Sequence, residues 1–342
     1  MNLRTRAVDL VVDRDELLNV LQRNLRDVSH EARFSWLYLD NPAGPAHSWF
    51  LCGEQGNAVG VASLVRRTAW MGESSAACGQ VADFAVDTPF RSLGPAMKLQ
   101  RCTFEPVLQG EMAFCYDCPP HDLGMAMFER LGVKETCRMQ VYVKLLRADR
   151  QLERLLGNSA GKMASAITNP LLRMRASRSK LSDKLDFSSS KAEFSDEFST
   201  LDLALRSSYT IRSRRSAEDL NWRFRDNPLQ RFEVLTAREH GELLGYLIYS
   251  VLEEDAYIFD LFGRKLSEVG PELLHALTAI LQDRSIQSIR AQLPEGSASV
   301  PVFVNAGFSL RGNAARIVAF GGSRGQALHD AQWQFQQADV MA

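Results

Sequence analysis

The chain has no stretch approaching the roughly 20 consecutive apolar residues of a membrane-spanning helix. It has no surplus of charge: 40 Lys and Arg against 41 Asp and Glu give a formal net charge of −1. A chain so balanced is not an electrostatic binder of nucleic acid, and DNA is not an expected partner. Cysteine is sparse and confined, with all six between Cys52 and Cys137. A disulfide framework is not expected in a chain of this size. Cys115 and Cys118 form a CxxC with His121 three residues on, but no second pair completes a metal set, so no metal site is assigned. The opening MNLRTRAVDLVVDRDEL has an apolar run too short for a secretion signal and soon followed by acids. The expectation is a cytoplasmic protein.

What the chain does have is repetition. FSWLYLDNP at 34–42 returns as LNWRFRDNP at 220–228, an offset of 186 residues for both the Trp and the Asp-Asn-Pro. GNAVGVASL (56–64) returns as GELLGYLIY (241–249), QVADFAVD (ending at Asp87) as AYIFDLFG (ending at Gly263), and MFERLGV (127–133) as VFVNAGF (302–308). Four blocks in one order indicate a duplication of a whole domain. The length of 342 residues suits two domains, each large enough for its own core.

The first copy spans 1–146, with a helix from about Asp13 to Arg26, two antiparallel strands joined at Gln55-Gly56-Asn57, and a mostly apolar strand QVADFAVD. Then come a loop over Pro89–Ala96, a helix over Met97–Leu108, the strand EMAFCYDC, a helix ended by Gly132, and a closing strand CRMQVYVKLL. Residues 147–195 have no counterpart, 196–321 form the second copy, and 322–342 are a polar tail carrying Trp333 and Phe335. Within 155–182 there is no acidic residue, but there are Lys162, Arg173, Arg175, Arg178 and Lys180 among Leu155, Leu156, Met163, Ile167, Leu171 and Leu172. That pattern admits two readings: a helical linker followed by a disordered Ser-rich stretch (FSSSKAEFS), or a basic amphipathic patch touching anionic lipid at the inner face of a membrane.

The chemistry concentrates after the strand QVADFAVD. A turn feeding a helix N-terminus exposes backbone N–H groups, and the helix dipole behind them favours an anionic phosphate. Gly94 permits close approach, Ala96 avoids a clash, and Arg91 adds positive charge. Arg91-x-x-Gly94-x-Ala96 in this setting resembles the pyrophosphate loop of the GNAT (GCN5-related N-acetyltransferase) superfamily, and MFERLGV resembles that family's later helix. The tandem arrangement, FSWLYLDNP and the Trp-containing tail are also similar to GNAT-type proteins associated with bacterial exopolysaccharide synthesis.

The resemblance implies an α/β (α+β) fold of two GNAT-like domains, each a mixed, mostly antiparallel twisted sheet flanked by helices. It implies acetyl-CoA or another acyl-CoA as cofactor, held by Ala85, Val86, Arg91, Ser92, Leu93, Gly94, Pro95 and Ala96. It implies N-acyl transfer to an amino group of a sugar or other small molecule. The second loop, Ser267-Glu268-Val269-Gly270-Pro271-Glu272, has lost the arginine and gained two acids, so binding is expected in the first copy alone.

Two departures stand out. Pro95 removes a backbone N–H, and Phe128, with Phe303 in the second copy, stands where many family members carry a tyrosine general acid. Asp83 is a candidate base, although its repetition as Asp260 also fits a structural carboxylate. Tyr116, Cys115 and His121 are candidates for the missing acid, Tyr116 foremost. Two other functions remain open: a Fem-like aminoacyl transferase acting on aminoacyl-tRNA, and a non-catalytic regulatory or scaffold protein. The oligomeric state is not legible.

Overall fold

The computed structural model describes residues 3–25, 30–119, 121–177 and 182–340, with only the backbone described for 173–177. The first copy runs β1 (Arg4–Ala7), α1 (Arg14–Asn24), α2 (Glu31–Phe34), β2 (His47–Cys52), β3 (Ala58–Met71), β4 (Ser74–Val86), α3 (Leu93–Cys102), α4 (Glu105–Leu108), β5 (Phe114–Asp117), α5 (Asp122–Arg130) and β6 (Glu135–Leu145). The expected end of α1 at Arg26 lies outside the described residues. A connecting stretch carries α6 (Asp149–Leu156), α7 (Asn158–Ser177) and β7 (Asp186–Lys191). The second copy follows with α8 (Asp196–Ala204), β8 (Ile211–Ser213), α9 (Ala217–Leu220), β9 (Glu233–Glu239), β10 (Glu242–Leu252), β11 (Asp255–Gly263), α10 (Leu266–Asp283), β12 (Ser288–Pro294), α11 (Val300–Asn305) and β13 (Ser309–Phe320). The tail adds α12 (Gly325–His329) and β14 (Trp333–Gln334).

The strands make one continuous sheet in the order β1-β2-β3-β4-β5-β13-β6-β12-β11-β10-β9-β7, with β8 and β14 off this path. Read outward from the β13–β6 pair, the two sides match. The closing strands are exchanged: β13 of the second copy pairs antiparallel with β5 of the first, and β6 of the first pairs antiparallel with β12 of the second. The strand at 137–146, the expected close of the first copy, therefore lies between two strands of the second. Each copy completes the other's sheet, and neither has an independent edge there.

The Ser-rich stretch is ordered, contrary to the expectation of disorder. Residues Asp186–Lys191 form β7, the counterpart of β1, on the sheet edge against β9. Phe187 packs onto the core while Ser188 and Ser190 face outward, the alternation an edge strand needs. The tail is also docked, with Trp333 and Phe335 buried among residues of both copies and Ala338 in the core of the second.

At the centre of one face the repeated Trp residues meet each other. Each helix, α2 and α9, continues into a one-turn π-helix, Ser35–Leu39 and Asn221–Arg225. Trp36 Nε1 donates to the Trp222 carbonyl (2.6 Å), and Trp222 Nε1 donates to the Trp36 carbonyl (2.8 Å). The rings stack at 5.4 Å. Such reciprocity follows from duplication about a local two-fold axis. In both copies the Asn of Asp-Asn-Pro caps its own turn, Asn41 Oδ1 accepting from Ala43 N and Asn227 Oδ1 from Leu229 N. Trp222→Ala should cost about 3–5 kcal/mol of stability in urea unfolding. Adding Trp36→Ala should cost far less than a second full increment, because the first change already breaks the shared contact; strictly additive losses would contradict this account.

Candidate active site

β4 and β5 run parallel, but only Cys78–Gln80 pair with Phe114–Tyr116. Beyond Gln80 and Tyr116 the strands diverge, leaving a V between β4 residues 81–86 and the end of β5. The divergence coincides with a bulge in β4, where the register against β3 shifts between the Val61–Ala85 and Ser63–Ala82 pairs. Asp83 sits in the bulge with φ +52°, a conformation costly for a residue with a side chain.

Three hydrogen bonds hold it there. Arg33 Nη1 and Nη2 donate to the two Asp83 oxygens (2.7 and 2.9 Å), and the Tyr38 hydroxyl donates to Oδ2 (2.6 Å). Both charged side chains are buried, 1% and 4% exposed. Tyr38 also bonds Ser63, which bonds Ser48, and burial raises the Tyr38 phenol well above its ordinary value. Both Asp83 oxygens are thus taken up by buried partners of the fold. Asp260 repeats the arrangement with Arg215 (2.8 and 3.0 Å) and Tyr246 (3.3 Å). In both copies the carboxylate makes the contacts expected of a structural group.

The loop after β4 is pinned to α1. Asp87 accepts from Arg23 Nη2 (2.9 Å) and Asn24 Nδ2 (2.7 Å). Arg91 leans back on the Val86 carbonyl and Asn24 Oδ1, both at 3.2 Å, and is exposed. The helix expected from Met97 begins at Leu93, with Ser92 as its N-cap and Gly94 and Pro95 in its first turn. Proline is tolerated there because first-turn N–H groups have no partner within the helix. Ser92 and Gly94 are exposed, Leu93, Pro95 and Ala96 are half-buried, and a side chain added at Gly94 would meet nothing within 4 Å. No acidic residue lies in this turn. Ala85 and Val86 are buried at the end of β4. The structure thus gathers the expected loop residues at one open helix N-terminus beside the V.

Tyr116 does not join them. Its hydroxyl donates to the Asp339 carbonyl (2.8 Å), its ring packs on Phe335 and Phe114, and burial raises its phenol. Its neighbour Cys115 packs in the cluster of Val81, Leu99, Met125 and Phe128 on the opposite face. Cys118 belongs with Tyr116, so the two thiols of the CxxC serve different layers. Among the described residues no group of three or more His, Cys, Asp or Glu is placed to hold a metal. His121 is the exposed N-cap residue of α5. Phe128 is 2% exposed in the core.

One residue was not singled out from sequence. Asp117 is the first residue of β5 past the last pair with β4, at the apex of the V. By strand alternation it shares the face of Cys115, towards α3 and α5. Its Oδ1 accepts from the Cys118 N–H (2.6 Å), and burial pushes the carboxyl up to about 7. The signal in the sequence is an acid closing an otherwise apolar strand, FCYD. Just past it a hollow of about 510 Å³ is lined by Pro119, His121, Asp122, Arg138, Asn313 and Arg316.

The second copy has the same V, filled. β11 and β12 pair in parallel through Ile258–Ala291 and then part. The tail residue Gln336 enters the gap: its Oε1 accepts from Leu261 N (2.9 Å) and its Nε2 donates to the Leu261 carbonyl (2.6 Å). Asp339 anchors the tail between Arg215 (3.6 Å) and Arg223 (3.2 Å). Burial would raise this carboxyl, but the two arginines outweigh it and hold it below its ordinary range. A side chain at Gly270, the counterpart of Gly94, would strike Val302 Cγ1 at 2.7 Å. In the register that matches Phe84 with Leu261, Ala291 stands where the first copy has Asp117. In the first copy, among the described residues, no side chain bonds the backbone of Phe84, the counterpart of Leu261.

Solved structures share this architecture. A GCN5-related N-acetyltransferase from Anabaena variabilis aligns with a TM-score of 0.64 at 10% identity, over 94% of this chain and 73% of its own. A tandem GNAT protein from the clavulanic acid biosynthesis pathway aligns at 0.57 and 15%, over 93% and 98%. The chain has the tandem GNAT fold. Saccharomyces cerevisiae N-myristoyltransferase with bound myristoyl-CoA also aligns, at 0.56 and 11%, over 93% and 82%. At these identities the likeness concerns the fold. No protein-family model matches the chain, and no curated protein matches its sequence. Of the described helices, none is long and apolar enough to cross a membrane.

The Asp117 carboxyl gives this GNAT fold a stability signature. A folded-state value of about 7 lies above the ordinary carboxyl value, so the group favours folding fully only below about pH 4, and that contribution is lost as pH rises through 7. Asp117→Asn should therefore raise stability at pH 8 by about 1–3 kcal/mol relative to the native chain, with the difference vanishing near pH 4. Thermal melts across that range check it; a pH-independent difference would remove the perturbed carboxyl from the account.

Proposed function

We propose that the chain is an acyl-CoA-dependent N-acyltransferase whose cofactor lies in the V of the first copy. The observation that carries this reading is the open gap between β4 and β5 beside an unobstructed helix N-terminus free of acids, set against a second copy whose gap is filled. The Leu93 and Gly94 N–H groups and Arg91 would receive the pyrophosphate. The Phe84 backbone N–H, counterpart of the Leu261 N–H that Gln336 takes up in the second copy, would polarise the thioester carbonyl. No second loop competes, because Glu268 and Glu272 flank that turn.

Asp117 is the acid–base group in this reading. An ammonium acceptor must lose a proton before its nitrogen attacks the carbonyl carbon. The C–N bond then forms, the C–S bond breaks, and the thiolate needs a proton. A carboxyl titrating near 7 at the apex can take the first proton and return the second, which Phe128 cannot. The polar hollow past Asp117, with Arg138, Arg316, Asp122 and His121, suits a small polar amine such as an amino sugar, and a place in polysaccharide synthesis is consistent with such an acceptor.

Calorimetric titration with acetyl-CoA and longer acyl-CoAs tests the cofactor. Micromolar binding is expected, weakened at least about tenfold by Arg91→Glu and unaffected by the matched second-copy change Glu268→Arg. Absence of binding by every acyl-CoA would end the reading. With an acceptor in hand, Asp117→Asn should lower kcat by about 10²-fold with little change in the acyl-CoA KM, and abolish the rise of activity through pH 7.

A further inference from the structure

Helices α6 and α7 form an antiparallel hairpin turned at Gly157, whose φ of +79° is natural only for glycine. The helices touch backbone to backbone, since a side chain at Gly161 would lie 2.5 Å from Glu153 Cα. The inner face of α7 is small and polar. Gly161 and Ser165 are buried there, and Asn169 Nδ2 donates to Asp149 (3.0 and 3.1 Å) while its Oδ1 accepts from Ala148 N (2.8 Å).

The outer face is apolar and uncovered. Met163, Ile167 and Leu171, spaced four apart on one stripe, are 75%, 70% and 60% exposed. Leu155 and Leu156 at the end of α6 add 78% and 54%. A surface helix normally turns its apolar stripe inward. Here the stripe faces out, so the hairpin is built to present it.

Charge selects the occupant. From Arg154 to Ser182 the sequence has six cations (Arg154, Lys162, Arg173, Arg175, Arg178 and Lys180) and no acid, a formal +6 within a chain of −1. A second copy of the chain would oppose this segment with another +6. An anionic bilayer surface satisfies both the stripe and the charge: apolar side chains enter the acyl boundary and cations meet the headgroups. The helix is not apolar enough to span. We propose that the α6–α7 hairpin docks the protein peripherally on anionic membranes.

Co-flotation of the full chain with vesicles tests this, using phosphatidylcholine alone and phosphatidylcholine mixed with phosphatidylglycerol. Binding is expected only to the mixed vesicles and should fall at least about tenfold on raising salt from ~0.1 to ~0.5 M. A triple variant, Met163→Glu, Ile167→Glu and Leu171→Glu, should lose that binding by a similar factor while keeping the native melting temperature and circular dichroism, because all three side chains are exposed. Equal binding to neutral vesicles, no binding to either, or unchanged binding by the folded variant each overturns the proposal. Loss of a solution dimer in the variant, without native vesicle binding, would assign the stripe to self-association instead.

Discussion

The site depends on a buried ion pair. Parallel strands stay paired unless something turns one of them away, and in β4 that something is the bulge at Asp83. A left-handed backbone at a non-glycine residue persists only when its surroundings over-determine it. The Arg33 fork and the Tyr38 hydroxyl do so, occupying the carboxylate from one side while β3 holds the chain from the other. Removing the carboxylate would leave the Arg33 charge buried without its counter-ion, which is far costlier than never having buried the pair. The pair therefore matters less as a source of stability than as the device that keeps the V open.

Duplication supplied the same device twice and the chain has used it differently. In the second copy Arg215 and Asp260 hold the bulge, but Gln336 satisfies the freed Leu261 backbone groups and α11 lies against the α10 turn at Gly270. Exposed backbone groups in a cleft need partners, whether protein, water or ligand. The second copy has internalised its partner through the tail. In the first copy no described side chain takes up the equivalent groups, and a carboxyl that burial pushes up to about 7 stands at the apex of the V. The difference between an open half and a filled half thus comes down to where one glutamine and one valine lie.

Much of the architecture was legible in the sequence because the repeat preserves what packing demands: Trp36 with Trp222, the Asp-Asn-Pro turns, and the apolar central strands. The helix N-terminus after β4 was legible in residues 91–96, although the helix begins at Leu93 and not at Met97. The strand exchange was not, since β6 and β13 would read alike whichever copy they closed; period-two patterning reports a face and never a neighbour. Nor was the placement of Tyr116 and Asp117. One residue apart on β5, they face opposite layers, and which layer holds the cleft depends on the divergence from β4. The Ser-rich edge strand was missed because an exposed edge needs little hydrophobicity, leaving Phe187 as its single large apolar anchor.

The exchange also ties the filled half to the open one. β5 is only four residues long and pairs with β4 over three, so its other edge must be completed by β13, through Val318, Ala319 and Phe320. Tyr116 is fixed by the Asp339 carbonyl, and that same tail plugs the second V. A change that loosened the second copy would release the tail, withdraw β13 and expose the free edge of β5, with the apex carboxyl at its end. A filled gap in the second copy is tolerable, whereas loss of its core is not. The repeat should accordingly have drifted most at its loop, as Glu268 and Glu272 have, and least at Trp222, Asp260 and the strand that closes its neighbour.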